Sequence, residues 1–240
     1  MVEKKLLALK HGGQKNNRLG EMLYDVILGG QDGVVNVLGL TLGVASATND
    51  SRIIIIAGIA STVAESLSMA AVAYTSSRAN EDFYKKVQKK AEQEVLETPD
   101  FGRENLETIY KKKGFTGKTL SKIIGLISSQ KKIWIKEIMQ DELKETSIKS
   151  SNPVSDAIIV GLSSVVGSLI PITPFFFIPV SEAIPVSVVA SIAVLFAMGA
   201  VKAKLTIGNW IKSGLEIAVI GTIAAILGYL VGAFLGVSIE

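Results

Sequence analysis

The chain has 240 residues, of which 48% are hydrophobic and 20% are charged, and it carries 25 Lys and Arg against 22 Asp and Glu. Cysteine is absent and His11 is the one histidine, which excludes disulfides, thiolate metal centres and histidine-based zinc, haem or triad chemistry within the membrane. A mean hydropathy of +0.42 alongside so many charges predicts a membrane protein whose charges are confined to a tail and one insertion.

Five apolar segments predict five membrane-spanning helices. Each has about 18 to 22 residues, and a helix needs about 20 to cross the hydrocarbon core. Residues 1–25 read as a polar tail leading into a short amphipathic helix on the inner membrane surface; residues 26–78 hold two spans and 151–240 hold three. We therefore predict an all-α polytopic protein with a helical cytoplasmic insertion, 79–150, between spans two and three. The predicted spans are 26–47, 53–74, 157–178, 184–201 and 217–237.

The first two spans carry polar and ionisable groups at membrane depth. Asp32 and Asn36 lie one turn apart in the first span, and Glu65 and Met69 have the same spacing in the second. A buried acid costs roughly 2.5–3.5 kcal/mol there, so it should face the bundle interior, water or an ion. Carboxylate oxygens with a thioether favour a first-row divalent metal over Na⁺ or Ca²⁺. The structural alternative is that Asp32 caps a helix and Glu65 hydrogen-bonds a neighbouring helix.

The insertion is predicted to be helical throughout. After the second span no Gly or Pro occurs before Pro99, so the second helix should continue as a stalk to about Leu96. Helices follow at 102–113, 116–127 and 130–145. Because their apolar stripes are narrow, we expect them to pack on the stalk as a small bundle.

Acidic residues and one methionine recur at a spacing of three along these helices, which places each pair on one helix face. If the helices converge, the pairs form a multi-metal site; without histidine it is not a ferritin-like di-iron centre. The alternative is a solvated face, since the insertion is also rich in lysine. The candidate ligands are Glu94, Glu97, Glu104, Glu107, Met139 and Glu142.

Proline and glycine mark the remaining spans. Pro171 and Pro174 should distort the outer end of the third span. Glycines four residues apart in the first and last spans allow helix backbones to touch, although glycine is common in membrane helices generally. These glycines are Gly39 and Gly43, and Gly228, Gly232 and Gly236.

Basic residues alternate between neighbouring connections. Five lie in the tail, sixteen between Arg78 and Lys149, and three between spans four and five, whereas Arg52 alone lies on the other side. Because positive charge stays cytoplasmic, the tail and the insertion should be inside and the C-terminus outside. We assign the lysines of the insertion to this rule and to contacts with anionic lipids. The lack of interleaved aromatic residues argues against nucleic acid.

Several stretches together resemble the vacuolar iron transporter family, called nodulin-like in plants. The resemblance covers nearly the whole chain, and its most specific parts are the five spans with an insertion after the second. The matching stretches are RLGEMLYDVILGGQDGVVN (18–36), AESLSMA (64–70), LETIYKKKGF (106–115), IMQDEL (138–143), residues 153–174 and LFAMGAVKAKLT (195–206).

The resemblance implies a homodimer whose first helices line a pathway at the two-fold axis. It implies Asp32 and Met69 as pathway ligands, and the six insertion residues named above as a cytoplasmic metal-collecting site. The family often has Gly-Glu shortly after Ser-Met-Ala, where this chain has Val72-Ala73, so Glu65 is expected to supply that acid. The spacing between the two Glu-x-x-Glu pairs is shorter than in the family, which leaves Glu92 as an alternative to Glu94.

We interpret the chain as a transporter and not an enzyme: an antiporter that exports Fe²⁺ or Mn²⁺ from the cytoplasm in exchange for protons. We expect no fixed cofactor, because the divalent first-row metal is the cargo. The alternative is a membrane-anchored metal sensor or buffer without transport, which needs the insertion but no acids within the spans. The host membrane is expected to be the plasma membrane in a prokaryote and a vacuole-type membrane in a eukaryote.

Overall fold

The computed structural model describes residues 2–143, 152–206 and 208–237. Within these ranges helices joined by short turns form the structure and no β-strand occurs, which confirms the all-α prediction. The predicted end of the last insertion helix, at 145, lies outside the described residues. The helices are α1 Val2–Ala47, α2 Ser51–Leu96, α3 Pro99–Lys112, α4 Gly117–Ser128, α5 Lys131–Leu143, α6 Pro153–Ile172, α7 Val180–Leu205 and α8 Trp210–Val237.

Five helices in the described part of the chain are long and apolar enough to cross a membrane, which confirms the number of predicted spans. The protein is therefore an integral membrane protein. The second span is the first half of a longer helix, since α2 ends only at Leu96, where the sequence predicted the end of the stalk. The segments that meet the criterion are Met22–Ala47, Ser51–Leu96, Pro153–Phe176, Val180–Lys204 and Trp210–Leu235.

The N-terminal region differs from the prediction. α1 is one helix from Val2 to Ala47, whereas the sequence suggested a polar tail before a separate amphipathic helix. The segment contains no proline and is rich in Lys and Leu, which are strong helix formers. Nothing in it therefore stops the helix of the first span from extending backwards.

The chain divides into two compact units. One consists of Met1–Thr75 together with Pro153–Glu240, and the other is Ser76–Asn152. The first holds the spans and is called the membrane unit below. The second lies close to the predicted limits of the insertion, 79–150, and is called the insertion unit.

In the membrane unit, α1 and α8 touch through glycine. A β-carbon placed on Gly228 would lie 2.1 Å from the carbonyl oxygen of Gly39, and one on Gly232 would lie 1.8 Å from that of Gly43. Both distances are far below a real carbon–oxygen contact, so the backbones meet directly. The two predicted glycine motifs therefore pack against each other. The contacts of Gly236 lie outside what the structure describes.

Proline ends α6 as predicted. The α-helix stops at Ile172 and passes into a 3₁₀ turn, Thr173–Phe176. Pro174 has no N–H with which to continue the α-helical ladder. α7 braces this end, because Ser187 Oγ donates a hydrogen bond of 2.7 Å to the carbonyl oxygen of Pro171.

The insertion unit is a small bundle, as its narrow apolar stripes predicted. The indole N–H of Trp134 in α5 donates to the carbonyl oxygen of Gly102 in α3, at 3.3 Å. Gly114 and Gly117 have φ of +91° and +58°, so glycine permits the tight turn between α3 and α4. The core contains Val87, Ala91 and Val95 of α2, Leu106 of α3, and Trp134, Ile138 and Met139 of α5.

Candidate metal pathway and carboxylate cluster

One face of α1 lies directly on α6. A β-carbon on Gly29 would lie 2.3 Å from the carbonyl oxygen of Val160, and one on Gly33 would lie 2.3 Å from that of Ser164. From the other side, a β-carbon on Gly167 would lie 2.2 Å from the carbonyl oxygen of Gly30. The glycines of the Gly29–Gly33 stretch therefore allow the backbones of α1 and α6 to touch.

A second face of α1 meets α2 through polar groups. Asn36 Nδ2 donates a hydrogen bond to Glu65 Oε1. The Asp32 carboxyl is near enough to the Glu65 carboxyl for the two groups to interact electrostatically. The structure therefore brings together three of the four predicted pathway residues. Met69, the fourth, is half-buried one turn further along α2.

This group can hold a cation or a proton. Two carboxyl groups in contact repel each other when both are charged, so a proton or a metal ion between them is favoured. Asn36 supplies a neutral donor to one carboxylate oxygen of Glu65. The second oxygen of Glu65 and the oxygens of Asp32 remain as possible ligands for a cation. The hydrogen bond also links α1 to α2, which is the structural role that the sequence allows for Glu65.

The polar group lies on a partly uncovered face of the chain. Asn36 is exposed, while Asp32 and Glu65 are half-buried. Along the same helix Leu28 is 43% exposed and Leu40 is 37% exposed. In a bilayer this face would meet lipid unless another protein surface covers it.

Sequence reasoning missed several buried polar groups nearby in the chain. Asp25 is only 8% exposed and lies two helical turns before Asp32, a spacing that could have identified it. Ser66 Oγ donates to Ser164 Oγ at 3.4 Å, joining α2 to α6. The fully buried hydroxyl of Ser168 has no hydrogen-bond partner among the described residues. No periodic signal distinguishes these serines from ordinary small residues of membrane helices.

In the insertion unit, two predicted ligands lie beside one lysine. Glu94 is buried, and its Oε2 accepts a hydrogen bond of 2.9 Å from Asn105 Nδ2 of α3. Lys90 Nζ lies 2.8 Å from Glu142 Oε1 of α5. The hydrogen bond to Glu142 raises the pKa of Lys90 above its ordinary value, and the charge of Glu94 adds to this. Glu92 instead accepts a bond from Gln88, so Glu94 is the acid directed into the bundle.

The other predicted ligands are dispersed. Glu97 and Glu104 are exposed, and Glu107 pairs with Lys111 one turn away at 2.8 Å. Met139 is 8% exposed and packs in the apolar core. Over the described residues, no three Asp, Glu or His side chains lie close enough together to hold a metal ion. One chain therefore presents Glu94 and Glu142 together, but not all six candidates.

A separate cluster ties α3 to α5. Tyr110 donates from its hydroxyl to Glu137 Oε2 at 3.0 Å, and Lys113 Nζ lies 3.2 Å from the same oxygen. The ammonium of Lys113 also sits 4.2 Å from the centre of the Tyr110 ring. Burial is the main cause that raises the pKa of Tyr110, and the hydrogen bond to Glu137 and its charge raise it further. This cluster gives Tyr110 and Lys113 of the LETIYKKKGF stretch a structural role.

The chain matches a known protein family over most of its length. The family model described as the VIT family matches residues 23–233, which include every candidate ligand in both units. The chain is 27% identical to "Vacuolar iron transporter 1" of Tulipa gesneriana, over 92% of this chain and 90% of that protein. It is 28% identical to "Vacuolar iron transporter 1" of Arabidopsis thaliana, over 90% and 87%. With "Vacuolar iron transporter" of Plasmodium falciparum it shares 26% identity, over 94% and 86%.

Proposed function

The chain belongs to the VIT family, and we propose that it is an antiporter that exports Fe²⁺ or Mn²⁺ from the cytoplasm in exchange for protons. Relatives named as iron transporters match about nine-tenths of its length, which supports a metal ion as cargo. The observation that carries the proposal is the contact of Asp32, Asn36 and Glu65 between two spanning helices.

The charge of this polar group has to be balanced from outside the protein. The sequence has no Lys or Arg within any of the five predicted spans. Buried acids normally pair with a basic side chain or a metal. Asp32 and Glu65 interact with each other instead, so a proton or a metal ion is the remaining counter-charge.

Protons and metal ions would use the same oxygens in turn. A divalent ion needs both carboxyl groups ionised, and a carboxylate that loses its metal in a low dielectric readily takes up a proton. Alternate occupancy of Asp32 and Glu65 therefore couples the two ions. Met69, one turn from Glu65, offers a thioether that favours Fe²⁺ and other softer first-row metals over Ca²⁺.

We also propose that two chains form a homodimer across the face that carries Asn36. An exposed amide and half-exposed carboxyl groups are costly against lipid. A second copy would cover them and would place two sets of carboxyl groups around one axis, which gives a metal ion more oxygen ligands than one chain supplies.

The insertion unit would face the cytoplasm and collect metal there. Its basic residues support this side of the membrane, and Glu94 with Glu142 supplies carboxylates from two helices. Glu97 and Glu104 are exposed and are available to a neighbouring chain or to hydrated ions.

The test is Fe²⁺ or Mn²⁺ transport in proteoliposomes with and without a pH gradient, for wild type and Asp32→Asn. The amide keeps the size of the side chain and is cheaper to bury than a carboxylate. The variant should therefore fold as stably as wild type, while transport falls more than about tenfold. Asp50→Asn is the matched control, because Asp50 is exposed in the turn before α2, where Asn also caps a helix.

Transport by Asp32→Asn at the wild-type rate would remove Asp32 from the pathway. If wild type binds metal but moves none under any gradient, the sensor or buffer interpretation replaces the transporter.

A further inference from the structure

We infer that Lys90 is a tethered competitor for the metal: its ammonium is bonded to Glu142 and lies within the electrostatic influence of Glu94, and an arriving divalent cation has to displace it. The inference rests on the proposed function, since it concerns how the insertion unit takes up metal. It goes further because it assigns a role in metal uptake to a lysine, a residue that is not itself a metal ligand.

Lys90 interacts with acids from two different helices. Lys90 and Glu94 lie one turn apart on α2, and Glu142 reaches Lys90 from α5. The ammonium donates to Glu142 Oε1 at 2.8 Å and interacts with the charge of Glu94. Asn105 holds one oxygen of Glu94 at 2.9 Å, which restricts how far that carboxylate can turn away.

A metal ion and this ammonium need the same electron pairs. The Glu142 oxygen that accepts from Lys90 is a ligand a hard or borderline divalent cation would use. Both cations cannot bind it fully at once, so each weakens the other by the same factor. With 59% of its side chain exposed, Lys90 can swing into water without breaking the core.

The competition suits a site that collects ions and then gives them up. Without metal, Lys90 balances two acids that would otherwise repel each other. With metal, the freed ammonium returns to water, where it is well hydrated. The net effect is weaker retention of the ion than the carboxylates alone would give.

The experiment measures Mn²⁺ affinity of the full-length protein in detergent by titration calorimetry, at one pH and one salt concentration. Lys90→Met keeps the length of the side chain and removes the charge. Since an exposed ion pair contributes up to about 1 kcal/mol, the variant should bind Mn²⁺ roughly fivefold more tightly. Lys90→Arg retains the charge and should bind as weakly as wild type.

Lys85→Met is the matched control. Lys85 lies on the same helix and forms an ion pair of 2.5 Å with Glu81, but away from the candidate ligands. Its loss removes the same charge from the protein and should leave the affinity unchanged. If both Met variants tighten binding equally, general electrostatics explains the effect and the specific role of Lys90 is overturned.

The sign of the change separates competition from a structural role. A lysine that only stabilised the bundle would, when removed, weaken metal binding. Unchanged or weaker binding by Lys90→Met, with wild type binding normally, overturns the inference and leaves the proposed function intact. Glu94→Gln and Glu142→Gln test the metal-collecting site itself. If both variants bind Mn²⁺ as wild type does, the insertion unit binds no metal at these acids, and the inference about Lys90 fails together with that site.

Discussion

The glycine contact between α1 and α8 gives an asymmetric prediction about stability. A β-carbon on Gly232 would lie 1.8 Å from the carbonyl oxygen of Gly43, and one on Gly228 would lie 2.1 Å from that of Gly39. In the reverse direction, a β-carbon on Gly39 meets its nearest atom, the carbonyl oxygen of Ala224, at 3.3 Å. Alanine is therefore forbidden on α8 without a helix shift, and nearly fits at Gly39 on α1.

The magnitudes follow from these distances. Gly232→Ala has to move a backbone by about 1 Å or more before the contact becomes tolerable, and overpacking of this kind costs about 1–3 kcal/mol. Gly228→Ala should behave in the same way. Gly39→Ala gains up to about 1 kcal/mol of helix propensity and needs only a small adjustment, so it should be close to neutral.

Thermal unfolding of the purified protein in detergent measures the difference. At about 2–4 °C per kcal/mol, the α8 variants should lose about 2–12 °C in apparent midpoint, and Gly39→Ala should lose less than either of them. Because such unfolding is often irreversible, all variants should be heated at one scan rate. Equal effects of Gly39→Ala and Gly228→Ala would show that the helices do not cross in this register.

Two further predictions concern the insertion unit. The chain has no cysteine of its own, so a cysteine introduced in place of Lys112 can be labelled selectively. It should resist impermeant maleimide in intact cells and react after lysis, because the basic insertion is expected on the cytoplasmic side. Labelling of intact cells would reverse the topology. Tyr110→Phe should lower stability by about 1 kcal/mol near neutral pH through loss of the bond to Glu137. The pKa of Tyr110 is raised in the folded protein. The stabilisation by its hydrogen bond is therefore complete below the ordinary tyrosine pKa of about 10, and it is lost as the pH rises through the pKa of the folded protein. A deficit that persists undiminished above that range in unfolding measurements would contradict it.

Much of the fold could be predicted because membrane helices are specified by local composition. Length and hydropathy were enough to predict the five spans. The absence of Gly and Pro between the second span and Pro99 was enough to predict that α2 extends to Leu96. The contact of Asn36 with Glu65 was also within reach, since two polar groups at similar depth in adjacent helices have few other partners.

The insertion unit was harder because its acids have alternatives to metal. Spacing places Glu104 and Glu107 on one face of α3, but it does not say which face turns inward. In the structure Asn105 faces Glu94, while Glu107 pairs with Lys111 along its own helix. Met139 likewise suits an apolar core as well as a metal site, because a thioether is apolar and can also be a metal ligand. Such choices depend on packing between helices, which periodicity does not encode.

The position of Asp32 follows from the glycines around it. Gly29 and Gly33 fix α1 on α6 by direct backbone contact, and Gly39 and Gly43 fix it on α8. These contacts occupy two faces of α1 and leave Asp32 and its neighbours on another, towards Glu65. A side chain added at Gly33 would meet the carbonyl oxygen of Ser164 and force the helix to shift or turn, carrying Asp32 away from Glu65. Loss of transport through such a change would come with loss of stability, whereas loss through removal of the Asp32 charge would not.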